Sequence, residues 1–272
     1  MAILADQHMH SSYSFDSEAK LRDMVESAIN KGLNHINITE HNDFDYPVSE
    51  EFPEGSWDLN VDSYLYDLLG LREEFKDKIT IGFGMEIGLR EDSFRKNAVL
   101  TRNHDFDFII GSVHLVHDVD TYDEKFYAGR SAKEAFNEYF DEVIANIKKF
   151  QNFDVLGHLD YLTRKVPGGE DAYNPLDYAD RIDTILDILL ENEKGLELNT
   201  QALARGLKNP NPWPSVLKRY KEKGGEIITV GSDAHKPDSI AVGFDKAADI
   251  LADCGFKYYT VFKDRTATYL RF

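Results

Sequence analysis

The stretch Gly224-Gly225-Glu226-Ile227-Ile228-Thr229-Val230-Gly231-Ser232-Asp233-Ala234-His235 holds the unit from which the fold is read. A glycine pair ends a helix-period segment, residues 226–231 form a β-rich run, and a carboxylate and an imidazole follow at its carboxyl end. Working outward, the same unit recurs along the chain. β-rich runs fall at 2–8, 35–40, 79–87, 106–113, 154–157, 195–199, 226–231 and 258–262, and helix-period segments at 18–31, 62–76, 93–103, 131–150, 178–193, 214–223 and 244–254. In 131–150, Ala135, Phe136, Tyr139, Phe140, Val143, Ile144 and Ile147 recur at three- and four-residue spacing, behind a capping box of Ser131 and Glu134. Such alternation predicts a parallel sheet, closed into a barrel or doubly wound. No Gly-x-Gly-x-x-Gly or P-loop opens a helix, which favours the barrel. Seven or eight strands are expected, because 93–103 is a weak helix. At 272 residues, with no linker or repeat, the chain reads as one barrel domain over 1–272. Irregular stretches at 42–60, 165–177 and 203–213 are expected to shape a substrate site.

Acidic residues outnumber basic ones 49 to 31, for a net charge of -18, and no Lys/Arg run stands out. Binding to duplex nucleic acid or to an anionic membrane is therefore not expected, since both require basic patches. A small anionic substrate remains compatible with this field if metal ions supply the local positive charge. Cys254 is the only cysteine, so an intrachain disulfide and a cysteine-based zinc site are excluded, and its apolar setting at 250–256 predicts a buried thiol. Residues 1–6 lack the pattern of a signal peptide and no window is apolar enough to span a membrane; a cytoplasmic location is expected. The oligomeric state is not read from these features.

The histidines carry the chemistry. Of nine, His8, His10, His41, His114, His158 and His235 fall at or just beyond the carboxyl ends of expected strands, joined by Glu86 and Asp233. Barrel strands converge there, so residues far apart in sequence meet at one mouth. His8 and His10 share a face of an extended segment, and Asp233 and His235 repeat that spacing. Imidazole and carboxylate together suit Zn, Mn or Fe(II), and an open metal position activates water. His35 and His104 precede strands and are expected on the surface, away from the mouth.

The segments Asp6-Gln7-His8-Met9-His10, Thr39-Glu40-His41, Gly84-Met85-Glu86, Gly111-Ser112-Val113-His114, Gly157-His158-Leu159-Asp160 and Ser232-Asp233-Ala234-His235 resemble, in order, the motifs of the PHP (polymerase and histidinol phosphatase) family. Within it, the length and the run from His10 to Ser17 are most similar to histidinol-phosphate phosphatases. The resemblance implies a distorted (β/α)7 barrel with its active site at the carboxyl ends of the strands, and three divalent metal ions, zinc, manganese or iron. Carried over by position, His8, His10, Glu86 and Asp233 would hold the first ion. Glu86 would bridge to a second, completed by His114 and His158, and Asp16, His41 and His235 would hold the third. Asp16 has an alternative reading as the N-cap of the helix near Glu18.

The activity so implied is hydrolysis of a small phosphomonoester, L-histidinol phosphate, by a metal-bridging hydroxide attacking phosphorus in line. Asp233, His235, Arg164 and His117 are the candidates for catalysis, and Arg164, Arg205, Asn199 and His117 for substrate contact, with Asp160 orienting His158 or Arg164. The family tends to place an arginine where this chain has Gln201, the nearest one following at Arg205. Asp43, Asp45, Glu50 and Glu51 would offer an acidic mouth to the substrate's ammonium. Hydrolysis of another small phosphoester, a nucleotide or a cyclic phosphodiester, is the alternative reading, and a non-catalytic metal-binding module a third. An amidohydrolase barrel also opens with His-x-His, but it would supply a lysine where Ser112-Val113-His114 stands.

Overall fold

The seven β-rich runs that alternate with helices do form parallel strands. The computed structural model describes residues 2–272, so Met1 of the amino-terminal segment lies outside the described residues. The strands are β1 (Ala5–Asp6), β2 (His35–Asn42), β3 (Thr80–Gly88), β4 (Phe108–Ser112), β5 (Val155–Leu156), β6 (Gly195–Asn199) and β7 (Ile228–Gly231). They pair in chain order, every pair parallel. The seam between first and last is bridged just beyond β1. Gln7 N–H donates to the Val230 carbonyl at 3.0 Å, Asp233 N–H to that of His8 at 2.7 Å, and His10 N–H to that of Ala234 at 2.9 Å. The result is a nearly closed seven-stranded barrel, distorted in that β1 and β5 are only two residues long. Asp6 fastens the same seam. Its buried carboxylate accepts from the Ser232 N–H at 2.9 Å, the Ser232 hydroxyl at 2.5 Å and the Ala241 N–H at 3.1 Å.

Helices α1 (Leu21–Asn30), α2 (Val61–Phe75), α3 (Phe94–Asn103), α4 (Ala132–Lys149), α5 (Ala179–Glu191), α6 (Pro214–Glu222) and α7 (Phe244–Asp253) follow the strands in turn. In α4 the capping box is present, and Ala135, Phe136, Tyr139, Phe140, Val143 and Ile147 are buried. Each of the larger side chains contributes about 1.5–3 kcal/mol of apolar transfer. The expected weak helix is real: a 3-10 turn at Glu91–Ser93 leads into α3. Helix α1 begins later than the pattern suggested. Its N-cap is Lys20, with no side-chain capping bond, so Asp16 does not cap it.

The run at 258–262 is not an eighth barrel strand. It forms β8 (Tyr258–Lys263), paired antiparallel with β9 (Thr266–Arg271). Asp264 and Arg265 between them have φ of 50° and 57°, the left-handed pair that suits a two-residue hairpin turn. The hairpin seals the amino-terminal end of the barrel. Phe262 stacks on Phe108 with centroids 5.0 Å apart, in a buried cluster with Ile110 and Val155. Gln7 Oε1 accepts from Asn37 Nδ2 at 2.7 Å and from the Phe262 N–H at 3.0 Å, and Arg265 pairs with Asp154 at 2.6 Å. His35 and His104, expected at the surface, are both half-buried. Burial pushes His35 down to about 4.

At the opposite end the interior is polar and tightly spaced. A Cβ on Gly231 would collide with His8 Cβ, and one on Gly157 with Ser112 Oγ, so glycine is required where strands carry large inward groups. Among the described residues no helix is long and apolar enough to cross a membrane.

The Phe262 seal yields a prediction. Phe262→Ala should lower unfolding free energy by about 3–5 kcal/mol in urea denaturation, the usual cost of emptying a buried aromatic site. A loss below about 1 kcal/mol would show that the hairpin is not part of the core.

Candidate metal centre

The strand ends deliver nine imidazole and carboxylate side chains to one point, and Glu86 stands at its middle. It is fully buried near the end of β3. Its Oε2 lies 3.1 Å from His8 Nε2, 3.5 Å from His10 Nε2 and 3.0 Å from His41 Nδ1. Its Oε1 lies 2.8 Å from His158 Nε2 and 3.3 Å from His114 Nε2. Asp233 Oδ1 is 3.6 Å from both His10 Nε2 and His235 Nδ1. Asp16 Oδ2 is 3.0 Å from His235 Nε2 and 3.7 Å from His41 Nε2. The His10 ring packs beside both His41 and His235, with centroids at 4.1 and 4.3 Å, and those two are 5.7 Å from each other. Asp233 itself holds φ 53°, a left-handed conformation uncommon outside glycine, at the residue that aims its carboxylate into the cluster.

This donor set fits divalent metal ions. Three triads have donor atoms within 4.8 Å of one another: His8, His10 and Asp233; His41, Glu86 and His114; His10, His41 and His235. His41 Nδ1 and His235 Nε2 are buried yet make no hydrogen bond, although a carboxylate oxygen is 3.0 Å from each. Buried polar atoms are rarely left so, and coordination would satisfy them.

A further layer fixes how the rings face. His8 Nδ1 meets Glu197 Oε1 at 2.6 Å, and His114 Nδ1 meets Asp43 Oδ1 at 2.9 Å. His10 Nδ1 donates to Ser14 Oγ at 3.1 Å, and that hydroxyl donates to Glu40 Oε2 at 2.5 Å. With Nδ1–H engaged outward, Nε2 is the nitrogen that faces inward, free to ligate once any proton on it is displaced. Glu197, Glu40 and Ser14 were not singled out in the sequence. The available signal for Glu197 was its spacing of two from Asn199, which puts both on the inward face of β6. Asp43 was expected to meet the substrate's ammonium; it is buried and committed to His114 instead. Asp45 pairs with Lys96 at 2.6 Å; of the expected acidic mouth, Asp43 and Glu51 line the cavity, and of these two Asp43 is the one held by His114.

Burial alone would push every carboxyl up and every imidazole down. Against it, His8, His41 and His114 hold Glu86 well below the usual carboxylate range, and His8, His10 and Arg164 do the same for Asp233. In return Glu197 and Glu86 hold His8 well above its ordinary value, and Asp43 and Glu86 hold His114 there. Despite burial, Asp16 and Asp233 raise His235 to about 9. Burial, with His41 and His235 beside it, drives His10 well down.

A cavity of about 690 Å³ lies against the centre, and Asp16, His41, His114, His158, Asp233 and His235 all line it. Arg164 lines it too, from a 3-10 turn (Tyr161–Arg164) after β5. Its Nε donates to Asn211 at 2.7 Å, Nη1 to Gln201 at 2.7 Å and to Asp233 at 3.0 Å, and Nη2 to Asn199 at 2.8 Å. Asp160 accepts from Asn211 Nδ2 at 2.8 Å, so it orients Arg164 through that amide rather than touching His158. Asn199 is fully buried beneath Arg164 and Asp233, outside the cavity lining. Gln201 also donates to the Asp233 carbonyl at 2.8 Å. Arg205 lines the cavity, 5.6 Å from the Tyr122 ring centroid. His117 does not: it is exposed, with φ 49°, in the turn between Leu115–Val116 and Val119–Asp120. Reversal of the chain in that hairpin carries it out of the mouth.

Comparison with known proteins agrees with this geometry. The family model for the PHP domain matches residues 6–201. The chain is 34% identical over 261 residues to the histidinol-phosphatase of Lactococcus lactis subsp. lactis, covering 94% of this chain and 93% of that one. It is 33% identical over 254 residues to the probable histidinol-phosphatase of Clostridium acetobutylicum, covering 93% and 94%. The crystal structure of the histidinol phosphate phosphatase from L. lactis subsp. lactis Il1403, complexed with zinc, L-histidinol and phosphate, superimposes with a TM-score of 0.89 at 31% identity. The match covers 97% of this chain and 98% of that chain.

Two predictions arise from the ring contacts. Glu197→Gln should weaken zinc binding by about 10–100-fold, the usual effect of losing an orienting carboxylate, with circular dichroism unchanged; undiminished affinity would remove Glu197 from the centre. Because His8, His114 and His235 are raised, they carry protons at pH 7 without metal, and ligation must expel them. Zinc titrated calorimetrically into metal-free protein, in two buffers of different ionisation enthalpy, should therefore release protons at pH 7. Affinity should fall as pH is lowered. Zero proton release would contradict the raised imidazoles.

Proposed function

The chain belongs to the PHP domain family, and from that premise we propose that it is a metal-dependent phosphomonoesterase that hydrolyses L-histidinol phosphate to L-histidinol and phosphate. The observation that carries this reading is the clustering of eight candidate ligands around Glu86 against an open cavity. A closed structural site would have no use for such a cavity. The complex of the L. lactis relative with zinc, L-histidinol and phosphate supports the substrate.

Three ions, zinc, manganese or iron, would be held by His8, His10, Glu86 and Asp233; by Glu86, His114 and His158; and by Asp16, His41 and His235. The contacts of Glu86 with five rings support its bridging position, and the 3.0 Å approach of Asp16 to His235 supports the third set. Divalent ions bound there supply Lewis acidity, lowering the pKa of water and neutralising phosphate oxygens. Asp233 and His235 serve catalysis as ligands. Arg164 is pinned by four protein acceptors, which leaves one Nη2 hydrogen for a phosphate oxygen. Asn199 acts by holding Arg164 and Asp233 in register. Arg205, without an ion-pair partner among the described residues, supplies the second guanidinium. Gln201 stands where the family tends to carry arginine and is occupied in holding Arg164 and the Asp233 backbone. His117 receives no role.

Protein loaded with manganese or zinc should release phosphate from histidinol phosphate, lose that activity to a chelator and regain it with metal. His10→Ala should lower turnover at least about a hundredfold and reduce bound metal, with the fold intact. Full activity after chelation, or turnover of amides without any phosphoester, would refute the assignment.

A further inference from the structure

Of helices α1 to α7, only α2 and α3 leave large apolar side chains exposed among the described residues: Tyr66 at 79%, Leu69 at 50% and Val99 at 54%. Charge frames them on both helices. On α2, Asp62, Tyr66, Leu69 and Glu73 follow at intervals of four, three and four, which places them on one face with an acid at either end. On α3, Arg95, Val99 and Arg102 follow at four and three, with a cation at either end. In a chain of net charge -18, α3 carries three cations and no acid. The neighbouring charges are engaged within the chain: Glu74 by Arg22 at 2.5 Å, Asp67 by the Tyr13 hydroxyl at 2.6 Å, Arg72 by Asp107, and Lys96 by Asp45 at 2.6 Å. Arg95 and Arg102 are exposed and have no ion-pair partner among the described residues. Glu73 meets Lys76, three residues on, an exposed pair of the kind that contributes little. Asp62 meets His104 at 3.5 Å, and since His104 ends α3, that contact sets the two stripes next to each other on one outer face.

We propose that the two stripes are the halves of one self-complementary interface, through which two copies of the chain form a two-fold dimer, α2 of each lying on α3 of the other. A two-fold axis running between the stripes exchanges them, so the acid-ended stripe of one copy meets the cation-ended stripe of its partner twice over. The apolar centres cover one another, while Arg95 and Arg102 reach Asp62 and Glu73 across the seam. Tyrosine and arginine are residues that interfaces favour, and an apolar patch rimmed by charge marks such a surface. A basic partner would satisfy α2 alone and an acidic partner α3 alone; a second copy satisfies both. None of these side chains lines the cavity, so the interface is separate from the metal centre.

The test is sedimentation equilibrium of the full chain at micromolar concentration, where wild type should give twice the chain mass. Arg95→Glu with Arg102→Glu makes both stripes acidic, and Asp62→Lys with Glu73→Lys makes both basic. In each doubly changed protein the dimer dissociation constant should rise at least about a hundredfold, because like charges now face each other. Mixed in equal amounts, the two should pair with one another, since each offers the charge that the other lacks. Tyr66→Ser leaves every charge in place and should weaken the wild-type dimer about tenfold, with circular dichroism unchanged. A wild type that stays monomeric, a dimer equally tight in both reversed proteins, or a mixture of the two that fails to associate would overturn the interface.

Discussion

A carboxylate with no solvent exposure, Glu86, has five imidazoles within 3.5 Å. Burying an ionised group costs several kcal/mol unless charge and hydrogen bonds compensate it, and histidine rings compensate a carboxylate only when they are brought to the right side of it. Much of the upper barrel can be understood as the means of doing so. Short parallel strands bring their carboxyl ends together, inward glycines make room where two large polar groups would otherwise collide, and outer carboxylates at Glu197, Asp43 and Glu40 turn the rings to face the centre. The charges balance one another more than they balance against water, which is why carboxyls stay low and several imidazoles high inside one buried cluster.

The two ends of the barrel solve opposite problems. One end collects polar groups that tolerate burial only as a network. The other is apolar and is stopped by Phe262 on Phe108, with Arg265 and Asp154 paired at its edge. Rigidity at the sealed end supports precision at the polar one, since second-layer contacts such as Asp160 to Asn211 to Arg164 operate over tenths of an ångström.

The strand–helix alternation and the strand-end histidines were legible in the sequence because both depend on local pattern: period, glycine stops and position relative to a strand. The same logic found Glu86 and Asp233. Three kinds of information were not local. The fate of 258–262 depended on whether the ring was already joined by β1 and β7, and the two-residue turn at Asp264-Arg265 carries no glycine or asparagine to announce a hairpin. Asp43 sits in an acidic loop and looks like its exposed neighbours, and only the approach of His114 distinguishes it. His117 is three residues from His114, yet a tight reversal points the chain away. The family resemblance offers Asp16 as a ligand, with a helix cap as its alternative; the later start of α1 removes the cap.

The seam between residues 7–10 and 230–234 has a consequence for biosynthesis. The ligands to one small volume are drawn from His8 to His235, and the first of them are held by backbone partners near the last. A ribosome-bound chain that ends before β7 lacks both the partners that shape the amino-terminal His-x-His and the Asp233 carboxylate that balances it. Contacts of such long sequence separation form late in folding. A growing chain therefore holds His41, Glu86, His114 and His158 well before β7, but the sets that need Asp233 and His235 are completed only in the nearly finished barrel, where geometry rather than raw affinity can discriminate among metals.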